Sequence, residues 1–187
     1  MLVAMTVGHV GRPSKEFKDL GAAQGSNVEA DFVRRYVHAL ERAFRKLGVQ
    51  SATLSDGSYA DQWARADAYG ADVYLNCHMN AGGGDRGEFF YDHRSTKGKA
   101  LADNVVAALG KAFPWTNRAV ACHPDTNGVP RDADYSEAFG CIYGVKAPAL
   151  VVEAYFIDGP DLGEFDRRMD EWASLVAGAI EIGRAHV

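Results

Sequence analysis

The segment Ala149-Leu-Val-Val-Glu-Ala-Tyr-Phe-Ile157 restricts the fold of this chain more than any other. Its apolar residues show no helical spacing, which predicts a strand at the centre of a sheet whose two faces are both covered. Glu153 interrupts that run. An ionised carboxylate so placed costs several kcal/mol unless charged or hydrogen-bonding groups compensate it. The chain must therefore bring such groups to Glu153 from elsewhere.

The rest of the sequence alternates strand-like and helix-like segments. Strands are predicted at 2–7, 49–54, 72–77, 88–91, 118–122 and 149–155. A helix is predicted over 27–47, where Val28, Phe32, Val33, Tyr36, Val37, Leu40, Phe44 and Leu47 recur at helical spacing before Gly48. Further helices are predicted at 59–69, with Ser58 as cap, and at 97–113, 136–143 and 161–182. This order gives an α/β fold, a mainly parallel twisted sheet of about six strands with helices on both faces. Residues 1–187 read as one domain.

In open sheets of this kind ligands bind at the carboxyl ends of the strands. His9 follows the first strand, His78 follows the third, and Glu153 lies near the end of a later one. Glu29, at the start of the first long helix, has two readings. Ser26-Asn-Val-Glu29 matches a capping box, in which the carboxylate reaches back to the cap's backbone N–H. Glu29 also shares a helix face with Phe32, Val33 and Tyr36, which turns it toward the sheet as a ligand. His9, Glu29 and His78 together form a His₂Glu donor set suited to one zinc ion, with Glu153 as the acid/base. The pattern is that of a zinc hydrolase.

Each candidate has a structural alternative. His9 and His78 can be turn residues, and Glu153 can pair in the core with Arg131 or Lys146. Asn80 can orient His78 or a backbone group. Asn80, His123 and Arg131 are expected at the substrate rim, and His93 is a weaker contact candidate. His38 falls on the polar face of the first helix and His186 at the terminus. Cys122-His123 is a poor nucleophile pair, because catalytic Cys and His meet through the fold and not as sequence neighbours. The Gly82–84 tract matches no nucleotide-binding motif.

A net charge of −5 gives no basic footprint for nucleic acid, and no apolar stretch approaches the roughly 20 residues of a membrane span. Three dispersed cysteines and a start without a basic leader indicate reduced thiols and synthesis in the cytoplasm. A monomer is expected.

The four residues, in this order, resemble those of the zinc-dependent N-acetylmuramoyl-L-alanine amidases of the amidase-3 type, over nearly the whole chain. Gly8-His9 resembles the family's opening Gly-His, and Gly25-Ser-Asn-Val-Glu29 its helix-opening Glu. Asp72-Val-Tyr-Leu-Asn-Cys-His-Met-Asn80 resembles its His-x-Asn strand, and Pro148-Ala-Leu-Val-Val-Glu153 its late catalytic strand. The match departs at Met5-Thr-Val-Gly-His-Val-Gly11, where many members have Asp-Pro-Gly-His-Gly-Gly, and at Cys77-His-Met in place of Ile-His-Ala.

The resemblance implies His9, Glu29 and His78 as zinc ligands and Glu153 as the acid/base. The substrate it implies is the amide between N-acetylmuramic acid and L-alanine in peptidoglycan. With no export signal, the chain is expected to be a phage or prophage endolysin that reaches the wall after release. A zinc peptidase acting on another amide and a non-catalytic peptidoglycan-binding module are the alternatives.

Overall fold

A computed structural model describes residues 1–9, 20–122 and 140–184. Strand β1 (Leu2–Val7) is followed by a two-stranded hairpin of β2 (Ala23–Gln24) and β3 (Asn27–Val28), and then helix α1 (Glu29–Lys46). Next come β4 (Gln50–Thr53), α2 (Tyr59–Ala68), β5 (Val73–Asn80), β6 (Arg86–Asp92), α3 (Thr96–Leu109) and β7 (Thr116–Cys122). The short α4 (Gly140–Gly144), β8 (Ala149–Phe156), α5 (Leu162–Arg167) and α6 (Met169–Arg184) complete the order.

Six strands form one sheet in the order β4-β1-β5-β8-β6-β7. The pairs β1–β4, β1–β5, β5–β8 and β6–β7 are parallel, whereas β6 runs antiparallel to β8. The α/β class, the strand count and the mainly parallel sheet thus agree with the sequence. The antiparallel seam does not show in it. At that seam the amino ends of β6 and β7 come to the same edge as the carboxyl ends of β1, β5 and β8.

Alternation along the strands sends side chains to two apolar layers. Leu75, Cys77, Leu150, Val152 and Phe89 pack with Val33, Tyr36, Leu40 and Phe44 of α1 and Trp172 and Val176 of α6. On the other face Tyr74, Val151 and Phe90 pack with Ala66 of α2 and Ile142 of α4. Ser58 caps α2 through a reciprocal box with Asp61, in which side chain and backbone satisfy each other's open donors.

Several boundaries differ from the expected ones. β5 runs on through His78 to Asn80, so His78 sits inside the strand. The expected last helix divides at Arg168 into α5 and α6. Residues 136–139 of the expected short helix lie outside the described residues, as do His123, Arg131 and His186.

Candidate metal and catalytic site

Glu29 opens α1, and of its two readings the capping box does not form. The residue at the cap position is Val28, with no side-chain cap bond. The hairpin turns the chain so that the Glu29 carboxylate faces the strand ends. Its Oε2 accepts from Ala22 N at 2.9 Å and its Oε1 from Met79 N at 3.1 Å. Oε1 also lies 3.1 Å from His78 Nδ1 and 3.3 Å from His9 Nε2.

One ligand atom from each of His9, Glu29 and His78 falls within 4.8 Å of the other two. Donors around a tetrahedral ion at zinc–ligand lengths stand about 3.4 Å apart. This donor set therefore fits a single zinc ion. Burial alone would push the Glu29 carboxyl up, but hydrogen bonds and charge from His78 and His9 outweigh it and hold its pKa far below the usual carboxylate range.

Small residues make the approach possible. A Cβ on Gly8 would stand 2.5 Å from the Nδ1 and Cε1 of His78, and one on Gly21 2.4 Å from Glu29 Oε2. Gly21 also has φ +72°, which favours glycine. His9 itself adopts φ 61°. A non-glycine residue there is strained, and such strain concentrates at functional sites. The rings of His9 and His78 meet edge to face, with centroids 5.1 Å apart.

Two tyrosines hold His78 from either side. The Tyr36 hydroxyl, wholly buried, donates to the His78 carbonyl at 2.9 Å. The Tyr59 hydroxyl lies 3.3 Å from His78 Nε2, the position from which a metal-binding imidazole is commonly oriented.

Glu153 on β8 is the register partner of His78 on β5 and of Glu88 on β6. Partner residues present their side chains to the same face. Glu153 is half-buried and Glu88 buried. Asn80 donates to Glu88 Oε2 at 2.7 Å, and Arg118 and Arg86 pair with its Oε1. Asn80 therefore braces Glu88. Lys146 is exposed and precedes β8, of which the four steps from Ala149 to Glu153 alone span about 13 Å at 3.3 Å per residue.

The remaining candidates lie elsewhere. His38 is exposed and pairs with Glu41. His93, beyond the carboxyl end of β6, contacts the Cys122 carbonyl. The reversed direction of β6 puts it at the sheet edge opposite His78. Burial pushes the thiols of Cys77 and Cys122 up to about 12, which leaves both protonated and unsuited to nucleophilic attack.

Sequence reasoning missed Glu88, Arg86, Arg118, Tyr36 and Tyr59. The alternation of Arg86, Glu88 and Phe90 on one strand face was the available signal for the first two. No comparable signal marked the others.

A family model described as N-acetylmuramoyl-L-alanine amidase matches residues 3–180. Solved structures share the fold. Cwp6 from Clostridium difficile is 23% identical with a TM-score of 0.74, over 99% of this chain and 29% of that one. AmiC2 of Nostoc punctiforme, an N-acetylmuramoyl-L-alanine amidase, is 21% identical with a TM-score of 0.71, over 100% of this chain and 96% of that one. The catalytic domain of the CD27L endolysin targeting Clostridia difficile is 20% identical with a TM-score of 0.70, over 96% of each. This chain thus spans under a third of the Cwp6 chain. No curated protein matches it.

Proposed function

This chain belongs to the N-acetylmuramoyl-L-alanine amidase family, and from that premise we propose that it is a zinc-dependent hydrolase of the amide between N-acetylmuramic acid and L-alanine in peptidoglycan, with residues 1–187 acting as one catalytic domain. The observation that carries the reading is the register of His78 and Glu153. It puts Glu153 on the strand next to His78, one of the three clustered donors, with both side chains on the same sheet face.

His9, Glu29 and His78 would hold the metal. Zinc bound there supplies a Lewis acid for the amide oxygen and acidifies the attacking water. Glu153 accepts a proton from that water as its oxygen attacks the lactyl carbonyl carbon. It then delivers the proton to the amide nitrogen as the carbon–nitrogen bond breaks. The products are a muramoyl lactyl carboxylate and a peptide with a new alanine amino group. Tyr36 and Tyr59 keep His78 in place throughout.

The test is digestion of purified peptidoglycan with and without a chelator, followed by product analysis. New alanine amino termini matched by free lactyl carboxyls support the proposal. Cleavage at another peptide bond, or binding without release of amines, rejects it.

A lytic role of the endolysin kind belongs to the same proposal. The fold is shared with an endolysin catalytic domain, and no described helix is long and apolar enough to cross a membrane. Added from outside, the protein should clear a suspension of bacterial walls. Turbidity that does not fall rejects that role.

A further inference from the structure

His78, Glu153, Glu88 and Arg118 are successive register partners on β5, β8, β6 and β7, so they form one row across the sheet on one face. At a strand spacing of about 4.8 Å the row is about 14 Å long. An imidazole of the metal cluster stands at one end and a guanidinium at the other.

The row gives the substrate a direction. In the reaction proposed above, the amide oxygen belongs at the end where His78 stands, and Glu153 protonates the amide nitrogen. The nitrogen therefore lies on the far side of the carbonyl from the metal ligands. The peptide attached to it continues over β6 and β7. There it meets Glu88 with its two arginines.

Those arginines form a fixed cationic group. Glu88 is 6% exposed, and both its oxygens are engaged, Oε2 by Asn80 and Oε1 by Arg118 and Arg86. Among the described residues, Glu88 is the one carboxylate paired with either guanidinium, so the group carries one positive charge in excess. The Arg86 guanidinium also lies over the Phe156 ring, 4.6 Å from its centroid. The Arg118 side chain keeps 49% of its surface exposed. A planar guanidinium anchored on one edge and open on the other is suited to a second carboxylate.

We propose that Arg118, with Arg86, binds the free carboxylate on the second residue of the leaving peptide and so sets the enzyme's preference for the peptide stem. The inference rests on the amidase reading of the site. The guanidiniums held at Glu88 lie one to two strand spacings from Glu153, about 5–10 Å. An α-carboxylate on the residue after alanine falls about 6 Å from the cleaved nitrogen in an extended peptide. The dimensions match.

The test compares N-acetylmuramoyl-L-alanyl-γ-D-glutamyl-L-lysine, which carries that carboxylate, with its α-carboxamide counterpart. Wild type should favour the carboxylate by about tenfold in kcat/KM, the size of one charge-assisted contact. Arg118→Gln should bring the ratio toward one, and Arg118→Lys should restore part of it. Glu88 keeps Arg86 and Asn80 in both variants, so its buried charge is not stranded.

A second readout does not depend on turnover. The released peptides are titrated by NMR into metal-free protein. The carboxylate form should bind more tightly to wild type and lose that advantage in Arg118→Gln. A wild-type ratio of one, or a ratio unmoved by Arg118→Gln, overturns the proposal. If wild type cleaves neither substrate, the amidase reading fails, and the titration alone then decides whether the carboxylate subsite exists.

Discussion

His78 and Glu153 face one another across adjacent parallel strands, each the other's partner in the register. The pairing joins a buried imidazole that touches Glu29 to a half-buried glutamate whose other register partner is Glu88 of β6. In the proposed reaction it joins the half that would hold the metal to the half that would face the peptide.

Glu153→Gln preserves shape and removes the proton acceptor. Turnover on peptidoglycan should fall about 10²–10⁴-fold, the usual contribution of an acid/base. Bound zinc should remain at the wild-type level by elemental analysis. A mutant that loses both together would move Glu153 into the ligand set.

His78→Ala should instead lower the bound metal, and chelation of wild type should abolish amine release until zinc is restored. Because a ligand that binds only the folded state adds RT ln(1 + [L]/Kd) to stability, zinc should also raise the melting temperature of wild type. That rise should shrink in His78→Ala, and calorimetry with and without zinc measures it.

Tyr59→Phe removes the hydroxyl beside His78 Nε2 and nothing else. Loss of such an outer partner usually costs about 10–100-fold in metal affinity or activity. Zinc titration against a competing chelator should show a weaker site with unchanged stoichiometry.

Asp92 gives a test remote from the site. Burial pushes its carboxyl up, but the hydrogen bonds and charge of Arg94 outweigh that and hold its pKa below the ordinary 3.8. A depressed folded-state pKa contributes stability that is present above the unfolded value and is lost as pH falls through the folded one. Asp92→Asn should therefore be less stable than wild type near about pH 6. Urea unfolding should show the gap closing as the pH drops below the carboxylate range.

The fold was largely legible because the buried strands and the amphipathic α1 carry strong periodicities. His9, Glu29, His78 and Glu153 stood out as candidates because the first two lie at element ends and the other two interrupt apolar runs. Glu29 shows where pattern misleads. Ser26 and Glu29 have capping-box spacing, yet the two-residue strand Asn27–Val28 occupies the place of the first turn. That hairpin is too short to leave a periodic trace.

The direction of β6 was equally hidden, because alternation is the same whichever way a strand runs. That gap concealed Arg118, which joins the row of Glu153, two strands away, through two register pairings that no local signal records.

The seam between β8 and β6 has a lasting effect on how such an enzyme can diversify. Residues 8–9 leave β1 in the half proposed to hold the ion, residues 110–115 enter β7 in the half proposed to face the stem, and residues 81–85 leave β5 and enter β6, joining the two halves. Mutation in 110–115 can therefore retune stem choice without disturbing the ion's ligands, whereas mutation in 81–85 bears on both.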